Sequence, residues 1–291
     1  MKKVVTHSGT FHADELFAIA TIEIALANPI ELVRTRDKAV CVDADIVVDV
    51  GGEYDEMKDR FDHHQTKGAG KRPNGIPYAS FGLVWKKYGL TICGNQAMVD
   101  EIDKEIVQPI DAEDNGIDIY KVNKYQLRPY ALPDIVHIFN STWKETDRNQ
   151  DGAFADALKL AKYVLNRAIE RAKDKHEAQK YIIAAYEAAQ DKRIVVIDNH
   201  YPTREVLNSY PEPLFVIRPS VDGNWSVETV KLEARSFKNR KDLPKIWGGK
   251  TGSQLQRVTG VPDAVFCHRN LFLAVAGSKE GAIALAQKAL L

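Results

Sequence analysis

Cysteine is scarce in this sequence. The three thiols, Cys41, Cys93 and Cys267, are widely separated and form no CxxC pair, which argues against a disulfide framework and for a reducing compartment. Each reads as a small buried apolar residue. An excess of charge is also missing. Forty basic side chains are matched by forty acidic ones, so there is no global positive field to draw in nucleic acid, and any nucleotide must be gripped locally. Long apolar runs are absent too. No uncharged stretch reaches the roughly 18 residues that span a bilayer, and only Val4-Val5 separate Met1-Lys2-Lys3 from Thr6 and His7, too little for a signal peptide. The expected address is the cytoplasm, with no membrane partner.

Several motifs fail. No Gly-x-Ser-x-Gly occurs, so a serine hydrolase elbow has no support. Gly249-Lys250-Thr251 resembles the end of a phosphate-binding loop, but Pro244 stands where its first glycine is needed. Asp147-Arg148-Asn149-Gln150-Asp151-Gly152 begins like a calcium loop, yet Leu158 takes the place of the bidentate glutamate. Asp151 is instead available to cap a helix.

What is present fits a soluble globular protein, 44% apolar and 27% charged. Its 291 residues favour two domains over one. Val4-Val5-Thr6 reads as a strand ending at His7, and a helix runs from Asp14 to about Ala27, where Asn28-Pro29 stops it. Strands follow at Leu32 to Thr35 and Asp45 to Val50. This is the opening of an α/β sheet, whose ligands sit beyond the carboxyl ends of its strands. Lys67 to Gly75 reads as a basic, mobile, solvated surface loop in preference to a substrate-guiding flap. Helical spacing covers Ala79 to Lys87 and Gln96 to Ile110, then an acidic stretch, Asp111 to Gly116, in which Asp111 is expected to face inward. A long helix from Phe154 to Ala172, a polar interruption at 173–177 and a second helix from Ala178 to Gln190 precede a change to β pattern at Arg193. We therefore expect domains at 1–192 and 193–291, the second a smaller α/β or α+β unit closed by a helix from Lys279 to Leu290.

Three segments carry the chemistry. Taken singly, His7 reads as a strand-end hydrogen bonder, His12 as a helix cap and His63-His64 as a surface pair. Together, the sheet-edge segments deliver His7, His12, Asp14, Asp49, Asp62, His63 and His64 to one place, and imidazole with carboxylate is a donor set for divalent ions of intermediate hardness.

The blocks Thr6-His7-Ser8-Gly9-Thr10-Phe11-His12-Ala13-Asp14-Glu15, Val33 to Asp37, Asp49 to Asp55, Phe61-Asp62-His63-His64-Gln65 and Ile110 to Gly116 resemble the Myg family (melanocyte proliferating gene proteins). That family looks like an outlying branch of the DHH phosphoesterase superfamily. Asn140-Ser141-Thr142-Trp143, Trp247-Gly248 and Phe266-Cys267-His268 extend the likeness over nearly the whole chain. The resemblance implies a DHH-type sheet with flanking helices, long connecting helices, and two divalent ions between two domains. Manganese is expected first, with iron, zinc or magnesium as alternatives. It places His7 and His12 on one ion, Asp14, His63 and Asp111 on the other, and Asp49 between them. The ions would activate a shared hydroxide. His64 would contact phosphate or protonate the leaving oxygen, and Asp62 would orient a ligand histidine.

In related enzymes a glycine-glycine-histidine loop in the second domain grips the substrate. The matching stretch here, Leu273 to Ser278, lacks it, which leaves His268, Arg269 and Arg240 as substrate-binding candidates. The expected activity is exonuclease-like phosphoester hydrolysis of RNA or short oligonucleotides. The alternatives are a phosphohydrolase of a small nucleotide or phosphoanhydride, since no aromatic and basic stacking strip is evident in the sequence, and a catalytically silent metal-binding regulator. A homodimer is a further expectation.

Overall fold

A computed structural model describes residues 1–122, 124–145, 149–233 and 236–291. The first two residues of the calcium-loop-like stretch, at 147 and 148, therefore lie outside the described residues. The chain forms two compact units, 1–173 and 174–291. Among the described residues no helix is long and apolar enough to cross a membrane.

The first unit is built on a five-stranded sheet ordered β2-β1-β3-β5-β4, from β1 (Lys2–Thr6), β2 (Ile30–Arg34), β3 (Ile46–Val48), β4 (Tyr54–Asp55) and β5 (Arg60–Phe61). Strands β2, β1, β3 and β5 are parallel, and β4 turns back antiparallel on β5. Val4 and Val5 are both buried, as a central parallel strand covered on both faces requires. The chain leaves β1 in one direction to β2 and returns on its other side as β3. The switch point of the sheet thus lies between β1 and β3.

Helix α1 (Ala13–Leu26) is buried continuously from Ala13 to Ile22, which explains its apolar character all round. After the short α2 (Lys38–Val42), α3 (Ser80–Cys93) packs along α1. Then α4 (Gln96–Ile102) continues through a π-turn at Asp103–Val107 into α5 (Gln108–Asp114). Pro109 gives the cause. It has no N–H, and its ring crowds the carbonyl four residues back, so the helix widens and Gln108 N–H reaches back to Asp103 O.

The basic loop lies at the surface, as expected, except at Arg72. Arg72 is 5% exposed, and its guanidinium donates to Asp103 Oδ1 and Asp111 Oδ2, both at 2.7 Å, while lying 4.3 Å from the centre of the Tyr78 ring. Hydrogen bonds between Arg72 and Ile76 and between Tyr78 and Gly70 tie the turn down.

Helix α6 (Leu132–His137) precedes α7 (Gln150–Ala188), a single helix of 39 residues where the sequence suggests two. The interrupting Lys173-Asp174-Lys175-His176-Glu177 is polar but holds neither glycine nor proline, so the backbone has no reason to stop. The division falls at 173–174 and not near 192. Side chains before it, such as Leu165 and Ala172, join the first core, whereas Ala178 and Ile182 pack with Val195, Ile197, Leu207 and Val216 of the second unit. Asp151 is not the cap. It lies within α7 and pairs with Arg34 at 2.8 Å, and Asn149 Oδ1 accepts from Gly152 N–H instead.

The second unit holds β6 (Ile194–Val196), α8 (Arg204–Asn208), β7 (Phe215–Pro219), β8 (Trp225–Thr229), α9 (Gly252–Thr259), β9 (Ala264–Cys267), β10 (Leu273–Ala276) and α10 (Lys279–Leu290). Its sheet runs β6-β7-β8-β10-β9. Only β6 and β7 are parallel. Leu273 to Ala276, the stretch that matches the glycine-glycine-histidine loop of related enzymes but lacks its residues, is an inner strand with Ala274 and Ala276 buried, and Ser278 Oγ then accepts from Gly281 N–H to cap α10.

Candidate metal centre

The site forms at the carboxyl ends of β1, β3 and β5. Thr6 ends β1 and hands over to His7, Val48 ends β3 before Asp49, and Phe61 ends β5 before Asp62 and His63. Because these strands are parallel, the residues after them emerge at one edge. His7, Asp49, Asp62 and His63 are all buried. A cleft of about 590 Å³ opens at this edge, lined by His7, Asp49 and Asp62 and also by His12, Asp14, His64 and Asp114.

Asp49 is central. Its Oδ2 lies 3.3 Å from His7 Nε2 and its Oδ1 lies 3.5 Å from His63 Nε2. Its backbone has φ 56°, a left-handed conformation uncommon for a residue with a side chain. Strain of this kind persists only where surroundings impose it, and here Asp49 N–H donates to Phe61 O while Ser80 Oγ donates to Oδ1.

His7 Nε2 also lies 3.0 Å from Glu15 Oε1. Glu15 resembles a simple capping-box partner in the sequence, and its carboxylate does accept from His12 N–H at 3.0 Å. It also turns out to face His7. Asp14, fully buried, accepts from Ser80 and Phe81 N–H at 2.9 and 2.7 Å and so closes the N-terminus of α3, where Ala79 supplies no cap of its own.

The expected sixth ligand is displaced. Asp111 is buried, as foreseen, but it accepts from Arg72 and from Gly82 N–H, and a side chain at Gly82 would collide with it, a Cβ falling 1.9 Å from Oδ2. Burial pushes the Asp111 carboxyl up to about 7 against the pull of Arg72. One helical turn on, Asp114 Oδ2 lies 3.0 Å from His63 Nε2. Asp62 is likewise re-aimed. It accepts from Gly52 N–H at 2.6 Å and lies 2.8 Å from His64 Nδ1, so it orients His64 and not the buried His63.

Among the described residues, three groups bring ligand atoms within 4.8 Å of one another: His7, His12, Glu15 and Asp49; Asp49, His63 and His64; and Asp14, His63 and Asp114. Asp49 and His63 link them into one chain. The donor set fits divalent ions. His63 Nε2 is buried and makes no hydrogen bond, although carboxylate oxygens stand near it. Burial and repulsion from Asp114, Asp49 and Asp111 push the Asp14 carboxyl well above its usual range, the mark of anionic oxygens lacking enough positive charge. Burial alone would lower the histidines, but Asp49 and Glu15 raise His7 to about 10, and Asp114 and Asp49 raise His63 to about 11. Asp49, which burial would raise, is held far below the carboxylate range by those same imidazoles.

Beside the centre, Arg36 Nη2 lies 3.2 Å from His7 Nδ1, and the far wall of the cleft comes from α6 through Pro133, Asp134 and His137. Nothing in the sequence pattern singles out these wall residues. Of the substrate-binding candidates in the second unit, Arg240 donates to the carbonyls of Tyr210, Pro213 and Asn208, so its guanidinium braces the backbone and is not free for phosphate. His268 is half-buried, with Nδ1 accepting from Asn270 N–H, and Arg269 is exposed.

Sheet and site together define an α/β protein with a histidine–carboxylate centre at the switch point of a largely parallel sheet. The chain belongs to the Myg family: residues 3–290 match the family model described as Uncharacterised protein family (UPF0160). It is 31% identical to MYG1 protein C694.04c of Schizosaccharomyces pombe, over 99% of this chain and 97% of that one. With MYG1 protein C27H6.8 of Caenorhabditis elegans it shares 32% identity over 98% and 94% of the two chains, and with the human MYG1 exonuclease 30% over 99% and 85%. Among solved structures, RecJ from Thermus thermophilus in complex with Mn2+ matches 99% of this chain and 52% of that chain at 12% identity. Its TM-score is 0.30, too low to carry an argument.

Proposed function

We propose that the protein is a metal-dependent phosphoesterase, an exonuclease that shortens RNA or short oligonucleotides. The observation that carries this reading is the run of histidine and carboxylate groups joined through Asp49 and His63, of which His7, His12, Asp14, Asp49, His64 and Asp114 line an open cleft. The exonuclease name of several relatives of similar length supports it. In this reading His7, His12, Glu15 and Asp49 would hold one divalent ion, and Asp14, His63 and Asp114 would hold a second. Manganese suits this mixed nitrogen and oxygen set. Such a pair supplies Lewis-acid charge against the phosphoryl oxygens and lowers the pKa of attacking water.

The chain's own residues do the rest. Asp62 Oδ1 accepts a hydrogen bond from His64 Nδ1–H at 2.8 Å and leaves Nε2 for the cleft, where the side chain is 62% exposed. Protonated at Nε2, His64 donates to the leaving ester oxygen as the phosphorus–oxygen bond breaks, and Asp62 balances the imidazolium before the proton is lost. Asp49 and Asp114 keep the floor anionic. Phe11, Ile110 and Pro133 give it apolar walls that limit water.

Assays of the purified protein with manganese against short RNA, short DNA, dinucleotides and polyphosphate test the reading. Release of mononucleotides from RNA is expected. Cleavage of small substrates alone would favour a nucleotide phosphohydrolase, and no turnover a silent regulator. His64→Ala should keep its metal and lose about 10²-fold in kcat; full activity would remove His64 from the mechanism.

A further inference from the structure

Between α5 and α6, none of the described residues of 117–131 lies in a helix or strand, a long connection of the kind that is usually functional. It joins two walls of the cleft, running from α5, which carries Glu113 and Asp114, to α6, which carries Asp134 and His137. Its far end is fastened to the wall itself. Tyr130 Oη donates to Asp134 O at 3.2 Å, Arg128 pairs with the Asp134 carboxylate, and Ala131 N–H donates to the same group.

This stretch is aromatic and exposed. Tyr120 is 40%, Tyr125 67% and Tyr130 65% exposed. A fourth ring, Trp143, is 79% exposed and follows Asn140, whose amide exchanges two hydrogen bonds with the backbone of Phe11 in the cleft. Cations accompany the rings. Lys124 Nζ lies 4.9 Å from the centre of the Tyr125 ring and Lys144 Nζ 5.2 Å from that of Trp143, with Lys121 beside Tyr120 in the chain. Exposing such rings to water is unfavourable, and concentrating them on segments that border one cleft calls for an occupant with flat faces and negative charge.

We infer that Tyr120, Tyr125, Tyr130 and Trp143, with the lysines beside them, form a track for single-stranded nucleic acid leading into the cleft. Bases stack on the rings, which any base can do, and phosphates meet the lysines. Local pairing of this kind is how a chain with no net charge can grip a polyanion. The track rests on the exonuclease reading for its purpose but not for its binding. It favours substrates longer than the cleft can hold.

The test is binding of a fluorescent 20-nucleotide single-stranded RNA in EDTA, so that turnover plays no part. Alanine at Tyr125, Tyr130 and Trp143 together should weaken binding about 100-fold, and phenylalanine at all three should restore it to within a few-fold, since stacking needs only the ring. Alanine at Lys121, Lys124 and Lys144 should lower the slope of log affinity against log salt by about 2. In the active protein, the ratio of kcat/KM for the 20-mer to that for a dinucleotide should fall with the alanine rings. Unchanged RNA binding by the triple alanine protein, folded by circular dichroism, overturns the proposal. So does conversion of a wild-type dimer to monomer without loss of RNA binding, which would make the strip a self-association surface. Binding that depends on the rings in a protein that cleaves no phosphodiester would keep the track and sink the exonuclease.

Discussion

The two units use the same kinds of side chain in opposite ways. In the first, imidazoles and carboxylates converge on a cleft. In the second, Arg240 is taken up by three backbone carbonyls and His268 accepts from a neighbouring amide. The difference follows from strand direction. Parallel strands release their carboxyl ends at one edge, so His7, Asp49 and His63 meet although far apart in sequence. Antiparallel neighbours, as in β7-β8-β10-β9, release theirs at alternate edges, and polar residues there find local backbone partners instead.

The sharpest way to break this contrast is Asp49→Ala. It should abolish retention of both ions and lower phosphoesterase activity by about 10³-fold or more, read by metal analysis after gel filtration and by initial rates. If metal and activity survive, the first unit is no more specialised than the second.

A second test uses pH. His7 and His63, at about 10 and 11 without metal, are protonated at neutral pH and must lose those protons to become ligands. Manganese uptake near pH 7 should therefore release about two protons, and affinity should climb as pH rises toward 10, measured by calorimetry in buffers of different ionisation enthalpy. Stability of the metal-free protein runs the other way. Its histidine–carboxylate pairs contribute fully below about pH 6.5 and are lost as pH rises through the folded values of about 10 and 11. A metal-free protein that grows more stable over that window would contradict the assignment.

Asp111→Asn separates structure from ligation within the first unit. Above about pH 8, where the Asp111 carboxyl is ionised, leaving buried Arg72 with Asp103 alone should cost about 3 kcal/mol by urea unfolding, with both ions retained, whereas Asp114→Asn should lose one ion at smaller cost in stability. The smallest effect is expected in the second unit. Arg240→Ala should remove about 2 kcal/mol of stability through its carbonyl contacts and leave metal content unchanged.

Strand ends were the most legible part of the site. His7 and Asp49 could be read as strand-end residues because each follows a short apolar run, whereas Tyr54 to Asp62 holds no such run to announce β5 before His63. Direction beyond the backbone was less legible. The apolar neighbours of Asp111 foretell burial, which it has, but not that Arg72 from a distant loop occupies it. Glu15 satisfies a local capping pattern, which hides its second partner, His7. The 39-residue helix shows the same limit. A polar patch marks a change of what the helix packs against without breaking it. The exposed rings of Tyr120, Tyr125, Tyr130 and Trp143 follow no helix or strand period, so nothing in the sequence relates them to one another.

The left-handed backbone at Asp49 narrows what evolution can place there. Glycine would relieve the torsion and surrender the carboxylate; glutamate would keep the acid on a longer stem that suits the torsion poorly and overshoots His7. Asparagine would fit the shape and lose the charge. One amino acid of the twenty meets both demands, so a library of substitutions at this codon should tolerate fewer members than at any other acidic position of the cleft.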